Sequence, residues 1–482
     1  MIKPITRPKV IPAVLNPGFE SGLKGWTSSG LVKKVGRNGG SCLIHGVGTI
    51  ATIQTLENVP NGWYTLRAWV RTNGIPTDAN ISLTDEAGES KVVSVPMVGK
   101  DFLQIVASVK LTNHRCTIGL QSKVEEGWVA FDDIEFLPEQ TTLSIMGADI
   151  SSLKKSEDKG GVYYDEDGVQ DDAISILHNH GLNFARIRIW VNSLDGYHGK
   201  EQILEMAKRL KELDIKLLVD FHYSDTWADP GKQPKPKCWE KLDFQGLTKA
   251  VYDHTYDICN ALKQQGTRPD MFQIGNEINN GMIWPDGKND LSFVNLAMLL
   301  KEGIRAVRDC SPETQIMLHL AEGGKNDVFR WWFDEITRQG VEFNVIGASY
   351  YPYWHGTLVD LQNNLKDIVE RYQKPVIVVE TAYPFTEESD DATENIISSQ
   401  LTDGYPATPE GQKKMLADIM TVVRAVPNGK GLGVFWWDAT WTAVSGNGWD
   451  PTDRTSGNNW ENQALFDFDD RALPAMSLFK YP

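Results

Sequence analysis

From Leu143 to the C-terminus the chain repeats one pattern eight times, a short apolar run followed by helical or loop material. The runs are SIMGADI, FARIRIWV, KLLVDFHYSDTW, MFQIGNE, QIMLHLA, NVIGASYYPYW, KPVIVVET and GLGVFWWD. Runs this apolar suit strands covered on both faces, the environment of a parallel sheet. Between them, EQILEMAKRLKEL (Glu201 to Leu213) and GQKKMLADIMTVVRAV (Gly411 to Val426) place apolar residues at helical spacing, as helices packed on a sheet must. Eight strands alternating with helices over about 340 residues predict an α/β (β/α)8 TIM barrel, with the excess length in long βα loops.

Two of these runs end on a glutamate. MFQIGNEINNG, Met271 to Gly281, turns abruptly from Met271, Phe272 and Ile274 to Asn276 and Glu277. Taken alone, that glutamate reads as a solvated loop residue. KPVIVVET then carries the β-branched run Val376 to Val379 and ends on Glu380. In one parallel barrel both carboxyls lie at the carboxyl edge and face each other across the mouth, the arrangement glycoside cleavage requires. One carboxyl donates a proton to the leaving oxygen. The other, ionised, attacks the anomeric carbon or activates a water that does so.

The remaining strand ends are polar where a core predicts no polarity: Arg186 and Arg188, His222 with Tyr223 and Asp225, His319, Tyr350 with Tyr351, and Trp436 with Trp437. Among strand-end residues, Arg188, His222, Asp225, Asn276, Tyr351 and Trp437 are the candidate substrate-binding side chains. Arg186 and Arg188 are two apart and share one face of a strand, so both can point into the mouth and help keep Glu380 ionised. A structural ion pair has the same sequence signature. Tyr351 is placed to hydrogen-bond the same carboxylate.

Residues 1–140 read as a separate all-β domain, with 141–482 as the barrel. WYTLRAWV (Trp63 to Val70), ANISLTD (Ala79 to Asp85), FLQIVASVKL (Phe102 to Leu111) and CTIGLQS (Cys116 to Ser122) are separated by glycine and asparagine turns, which predicts a β-sandwich. Its ends, NPGFESGLKGW (Asn16 to Trp26) and GWVAFDDIEF (Gly127 to Phe136), resemble the jelly-roll carbohydrate-binding modules attached to polysaccharide-degrading enzymes. That resemblance makes Glu20 and Asp133 candidate ligands of a structural calcium, and turns account for the same acids equally well. Trp63, after Asn61-Gly62, is the candidate exposed ring, while Trp26, Trp69 and Trp128 are expected in the core. PEQTT, Pro138 to Thr142, reads as a polar linker.

A net charge of −16 argues against a nucleic-acid partner or a peripheral membrane role, both of which need clustered basic surface. The 5 cysteines show neither a CxxC pair nor His/Cys ligand spacing, so no zinc site or disulfide framework is expected. There is no apolar run long enough to span a membrane, and MIKPITRPKV lacks the hydrophobic region of an export signal. The 16 tryptophans, several next to glycine and proline, suggest exposed rings able to stack on sugar faces, while for any single tryptophan an ordinary core position is the better reading.

GADISSL, FARIRIW, LLVDFHYSDTWADPGKQPKP, FQIGNEINNGMIWP, SYYPYWHG, VIVVETAYP and NQALFDF, in that order, resemble glycoside hydrolase family 53, the endo-β-1,4-galactanases, across Leu143 to Pro482. The resemblance implies Glu277 as acid/base, Glu380 as nucleophile, Asn276 as a sugar contact beside the cleavage site and Trp437 as the floor under the reacting sugar. It implies retention, and therefore carboxyls about 5 to 5.5 Å apart. It further implies a β-1,4-galactan substrate, no catalytic cofactor, a monomer, and action outside the cell or on its surface. Bacterial members often hold a calcium between the loop after the seventh strand and the segment before NQALFDF. Here that points to Asp390, Asn458 and Glu461. One departure is Trp437-Asp438-Ala439-Thr440-Trp441, where many members have Trp-Glu-Pro-Ala-Trp. A hydrolase of mannan or another β-glycan, and a binding protein whose barrel has lost catalysis, are the rival readings.

Overall fold

The computed structural model describes residues 11–75, 78–290 and 292–480. MIKPITRPKV, read above for an export signal, lies outside the described residues. The chain divides between Thr142 and Leu143 into two compact units. The PEQTT segment is held by the first of them, through Arg67 to Glu139 and a 2.8 Å hydrogen bond between Thr65 and Thr141. No described helix is long and apolar enough to cross a membrane.

In the N-terminal unit two five-stranded antiparallel sheets form a sandwich. Strand Gly62–Thr72 shows the reason for two layers: Tyr64, Leu66, Ala68 and Val70 are buried, while Trp63, Arg67, Trp69 and Arg71 on the other face are not. Two expectations are corrected, the first by that alternation. Trp69 and Trp128 are half-buried rather than core, with the Arg37 guanidinium 4.1 Å from the Trp69 ring and Arg71 5.2 Å from that of Trp128. Trp26 packs on Phe19 inside the sandwich, and Trp63 is 39% exposed.

In the C-terminal unit all eight apolar runs are strands of one closed parallel barrel: β1 (Ile145–Asp149), β2 (Phe184–Ile189), β3 (Lys216–Phe221), β4 (Met271–Ile274), β5 (Gln315–Leu320), β6 (Val345–Ser349), β7 (Val376–Thr381) and β8 (Gly431–Trp436). Helices Lys200–Glu212 and Pro409–Arg424 cover it where the helical spacing predicts. Ile145, Phe184, Leu218, Met271, Met317 and Phe435 fill the interior toward the strand starts, so the barrel is a packed core and its chemistry is confined to the opposite end. Gly147 in β1 is required by that packing, since a Cβ there would come within 2.4 Å of the Phe435 ring.

Candidate active site

β4 ends at Ile274, and the chain reverses through Gly275 at φ 87° and Glu277 at φ 46°, ψ 52°. Left-handed backbone at a residue with a Cβ costs about 1–2 kcal/mol, so the surroundings must hold it. They do so by clamping the next residues to the loop after β5 and to helix Asn326–Arg338. Asn279 exchanges hydrogen bonds with the Ala321 backbone at 2.8 and 3.1 Å, and Trp332 Nε1 donates to the Ile278 carbonyl at 3.0 Å. The result aims the Glu277 carboxyl into the barrel mouth, where Ser349 at the end of β6 donates to its Oε1 at 2.6 Å.

Arg186 of β2 is the hub facing it. Its guanidinium is 1% exposed and reaches Asp149 of β1, Asp220 of β3 and Glu380 of β7 at 2.9, 2.8 and 2.8 Å. It also donates to Asn276 Oδ1 at 2.8 Å and Gln273 Oε1 at 3.2 Å. The Tyr351 hydroxyl donates to the second Glu380 oxygen at 3.0 Å. Glu277, Glu380, Tyr351 and Asn276 line one cleft of about 550 Å³.

The two glutamates hold their protons differently. Burial lifts Glu277 well above the ordinary carboxylate value of 4.5, and the Glu380 anion lifts it further. Burial also raises Glu380, to about 7, but there the Arg186 guanidinium and the Tyr351 hydroxyl favour the anion. Glu277 is therefore the group that keeps a proton while Glu380 is ionised. Burial, with Glu380 adding, pushes the Tyr351 phenol well above 10, so it remains a donor.

A carboxyl pair with these unequal proton affinities, after β4 and at the end of β7, is a glycosidase constellation. The family model of glycosyl hydrolase family 53 matches residues 145–479. The chain belongs to glycosyl hydrolase family 53. An uncharacterised protein of Niallia circulans is 43% identical over 345 residues, which cover 70% of this chain and 93% of that protein. The endo-β-1,4-galactanase of Bacillus subtilis is 34% identical over 372 residues, covering 70% and 85% respectively. Among solved structures, the family 53 catalytic domain of Ignisphaera aggregans is 40% identical, covers 70% of this chain and 95% of its own, and superimposes with a TM-score of 0.67.

In this family 53 barrel most residues singled out from sequence meet in the cleft. His222, Asn276, Glu277, Tyr351, Glu380 and Trp437 all line it. His222 donates from Nε2 to Asp220, which leaves Nδ1 to accept the Ala228 amide. Asn276 spends its oxygen on Arg186 and one N–H on the Ala228 carbonyl, and its second N–H meets no acceptor among the described residues. Two residues do not reach the cleft. Arg188 is drawn away from Glu380 by Asp438 at 2.7 Å and Ser152 at 2.8 Å, and its guanidinium lies 4.2 Å from the Trp227 ring that covers it. Asp225 turns back to accept the Lys237 amide at 2.8 Å.

The cleft also holds residues that sequence reasoning passed over. Trp227, Trp354, Trp441, Trp449 and Trp460 join Trp437 along it. Trp227 lies inside the quoted SDTWADP motif, so that motif marked its place without its role. Asp149 ends β1 and Asp220 is the last residue but one of β3, as Glu380 is of β7, so a carboxyl at the end of an apolar run would have found them too.

The residues named for calcium make hydrogen bonds within the chain. Glu461 Oε1 accepts the Asp390 amide at 2.7 Å, and Asn458 spends its amide oxygen on the Trp460 backbone and its N–H on Trp441. In the sandwich, Asp133 pairs with Arg37 at 2.8 Å, while Glu20 accepts the Ser41 amide. No group of three or more His, Cys, Asp or Glu among the described residues is disposed to hold a metal.

Proposed function

We infer that the chain hydrolyses β-1,4-galactosidic bonds within galactan, with retention, by double displacement between Glu380 and Glu277. Ionised Glu380 attacks the anomeric carbon while the Glu277 proton passes to the departing glycosidic oxygen. The C–O bond to that oxygen breaks, and an ester to Glu380 forms. Water then attacks the same carbon, Glu277 takes its proton, and the ester bond breaks to restore Glu380. The reaction uses two carboxyls and water and needs no cofactor.

The observation that carries this reading is the unequal pair itself: Glu380 held by Arg186 and Tyr351 as an anion, and Glu277 beside it keeping a proton. The substrate follows from family membership and from the Bacillus subtilis relative, an endo-β-1,4-galactanase. Trp437 supplies the floor of the subsite for the reacting sugar. Trp354 and Trp449, 44% and 39% exposed, offer faces to sugars farther along a polymer, which suits internal cleavage. The sandwich is read as an attached carbohydrate-binding module, on its end motifs and the exposed Trp63 ring. The whole acts as a monomer, outside the cell or on its surface, because galactan is too large to enter.

The test is to incubate the unaltered chain, Glu277→Ala and Glu380→Ala with β-1,4-galactan, mannan and other β-glycans, following released oligosaccharides and the anomer first formed. Short β-configured galacto-oligosaccharides from the unaltered chain alone are expected. Near-normal galactan cleavage by Glu380→Ala overturns the mechanism. Cleavage of another β-glycan in place of galactan overturns the substrate.

A further inference from the structure

Behind Glu277 stands a buried file of side chains that the double displacement leaves unused. Ser349, His319 and Gln273 are all fully enclosed. His319 Nε2 lies 2.8 Å from Ser349 Oγ, and Gln273 Nε2 lies 3.0 Å from His319 Nδ1. The direction of each hydrogen is set by chemistry. Gln273 Oε1 accepts from Arg186, and its Nε2 donates to Asp220 Oδ1 at 2.6 Å, so the amide has one orientation. Its second N–H lies among the Gly275 carbonyl, Asn276 Oδ1 and His319 Nδ1, at 3.1, 3.1 and 3.0 Å. Asn276 Oδ1, 3.1 Å from the same imidazole nitrogen, already accepts from Arg186, and the Glu277 amide donates to Nδ1 at 3.4 Å, which makes Nδ1 the acceptor. Burial, with Arg186 adding, keeps His319 neutral, so its one proton is on Nε2 and is donated to Ser349. Ser349 has a single hydrogen, and with His319 donating to its oxygen that hydrogen is left for Glu277 Oε1.

The geometry points to Ser349, oriented through His319 and Gln273, as the positioning residue that decides which oxygen of Glu277 carries the transferable proton. It rests on the reading of Glu277 as acid/base. Oε1 accepts the Ser349 hydrogen in both protonation states. Oε2 makes no hydrogen bond with a described residue, and Glu277 lines the cleft. The proton given to the glycosidic oxygen therefore leaves from Oε2, and the proton taken from water returns there. Without the file the proton divides between two oxygens, one of which faces away from the sugar. The charged or titratable groups around Glu277 are Glu380, Asp229, Arg186, His319 and Tyr351. Arg186, His319 and Tyr351 cannot replace Ser349 as donor to Oε1 without abandoning the partners described above, and Glu380 and Asp229 are acids.

The experiment compares kcat, KM and the pH profile of kcat/KM on galactan for the unaltered chain, Ser349→Ala, Ser349→Cys and Ser349→Thr, with Glu277→Ala alongside. Loss of a donor to the charged form is expected to move the alkaline limb upward by about one pH unit and to lower kcat about 10-fold, with KM little changed. Cysteine keeps the volume and donates weakly, so it shifts the same way even where alanine disturbs folding. Threonine keeps the hydroxyl and restores the profile. Profiles of Ser349→Ala and Ser349→Cys that overlay the unaltered one overturn the proposal. Full activity in Glu277→Ala would instead remove the reading on which it rests.

Discussion

Arg186 Nη2 lies 2.8 Å from Glu380 Oε1 and 2.8 Å from Asp220 Oδ2, so one nitrogen of a 1% exposed guanidinium serves two carboxylates. Its other terminal nitrogen serves a third, Asp149. Three strand-end acids surround one cation at the centre of the barrel mouth. Burying ions is costly, and the arrangement holds because each carboxylate oxygen that meets Arg186 also fixes its position.

Arg186→Ala leaves three buried carboxyls without their cation. A loss of about 3–5 kcal/mol in unfolding free energy is expected, read by urea titration at neutral pH. The loss is expected to shrink at low pH, where the acids are protonated. A variant as stable as the unaltered chain contradicts the hub.

Tyr351→Phe removes one hydrogen bond to the Glu380 anion and leaves the ring in place. Steady-state kinetics on galactan should show kcat lowered about 10- to 100-fold, the range of a hydrogen bond to a charged group. An unchanged kcat would mean that the 3.0 Å contact has no part in keeping the nucleophile charged.

The pH profile of kcat/KM should be a bell whose limbs belong to the pair. Activity falls with acid as Glu380 gains its proton, at a pH above the ordinary 4.5 and nearer 7. It falls with alkali as Glu277 loses its own. A profile flat down to about pH 4, the ordinary carboxyl range, contradicts the burial of Glu380.

Stability carries the same signature with a definite sign. Glu277 binds its proton more tightly folded than unfolded, so the folded state loses stability as pH rises from the ordinary value through the raised one. Glu277→Gln removes that loss. Thermal unfolding should find the variant more stable than the unaltered chain at about pH 8 and the two closer at about pH 4. The reverse order would show that Glu277 does not bind its proton more tightly in the folded state.

The eight strands were legible because apolar runs of that length tolerate few environments, and all eight are barrel strands. Glu277 and Glu380 were legible because a carboxyl ending such a run has few other reasons to be there. Spacing was a weaker guide in the sandwich. Trp69 lies within an alternating strand, but only the pairing of that strand tells which face is inside, and its ring meets Arg37 on the outer one. Ser349 opens the SYYPYWHG motif but its role was not legible there, since a serine ending a strand is ordinary. Its role depends on a carboxyl 72 positions away.

The arginines of β2 show where the division lies. Two-residue spacing determined that Arg186 and Arg188 share a side of their strand, and the alternation of strand and helix determined that this strand belongs to a barrel. Which acid each guanidinium meets was left to tertiary structure. Arg186 turns to Glu380, whereas Arg188 is taken by Asp438, 250 positions along the chain and brought alongside when β8 closes the barrel on β1. Local periodicity fixes directions within one strand, but a charged side chain settles on whichever opposite charge closure places within reach of its flexible stem.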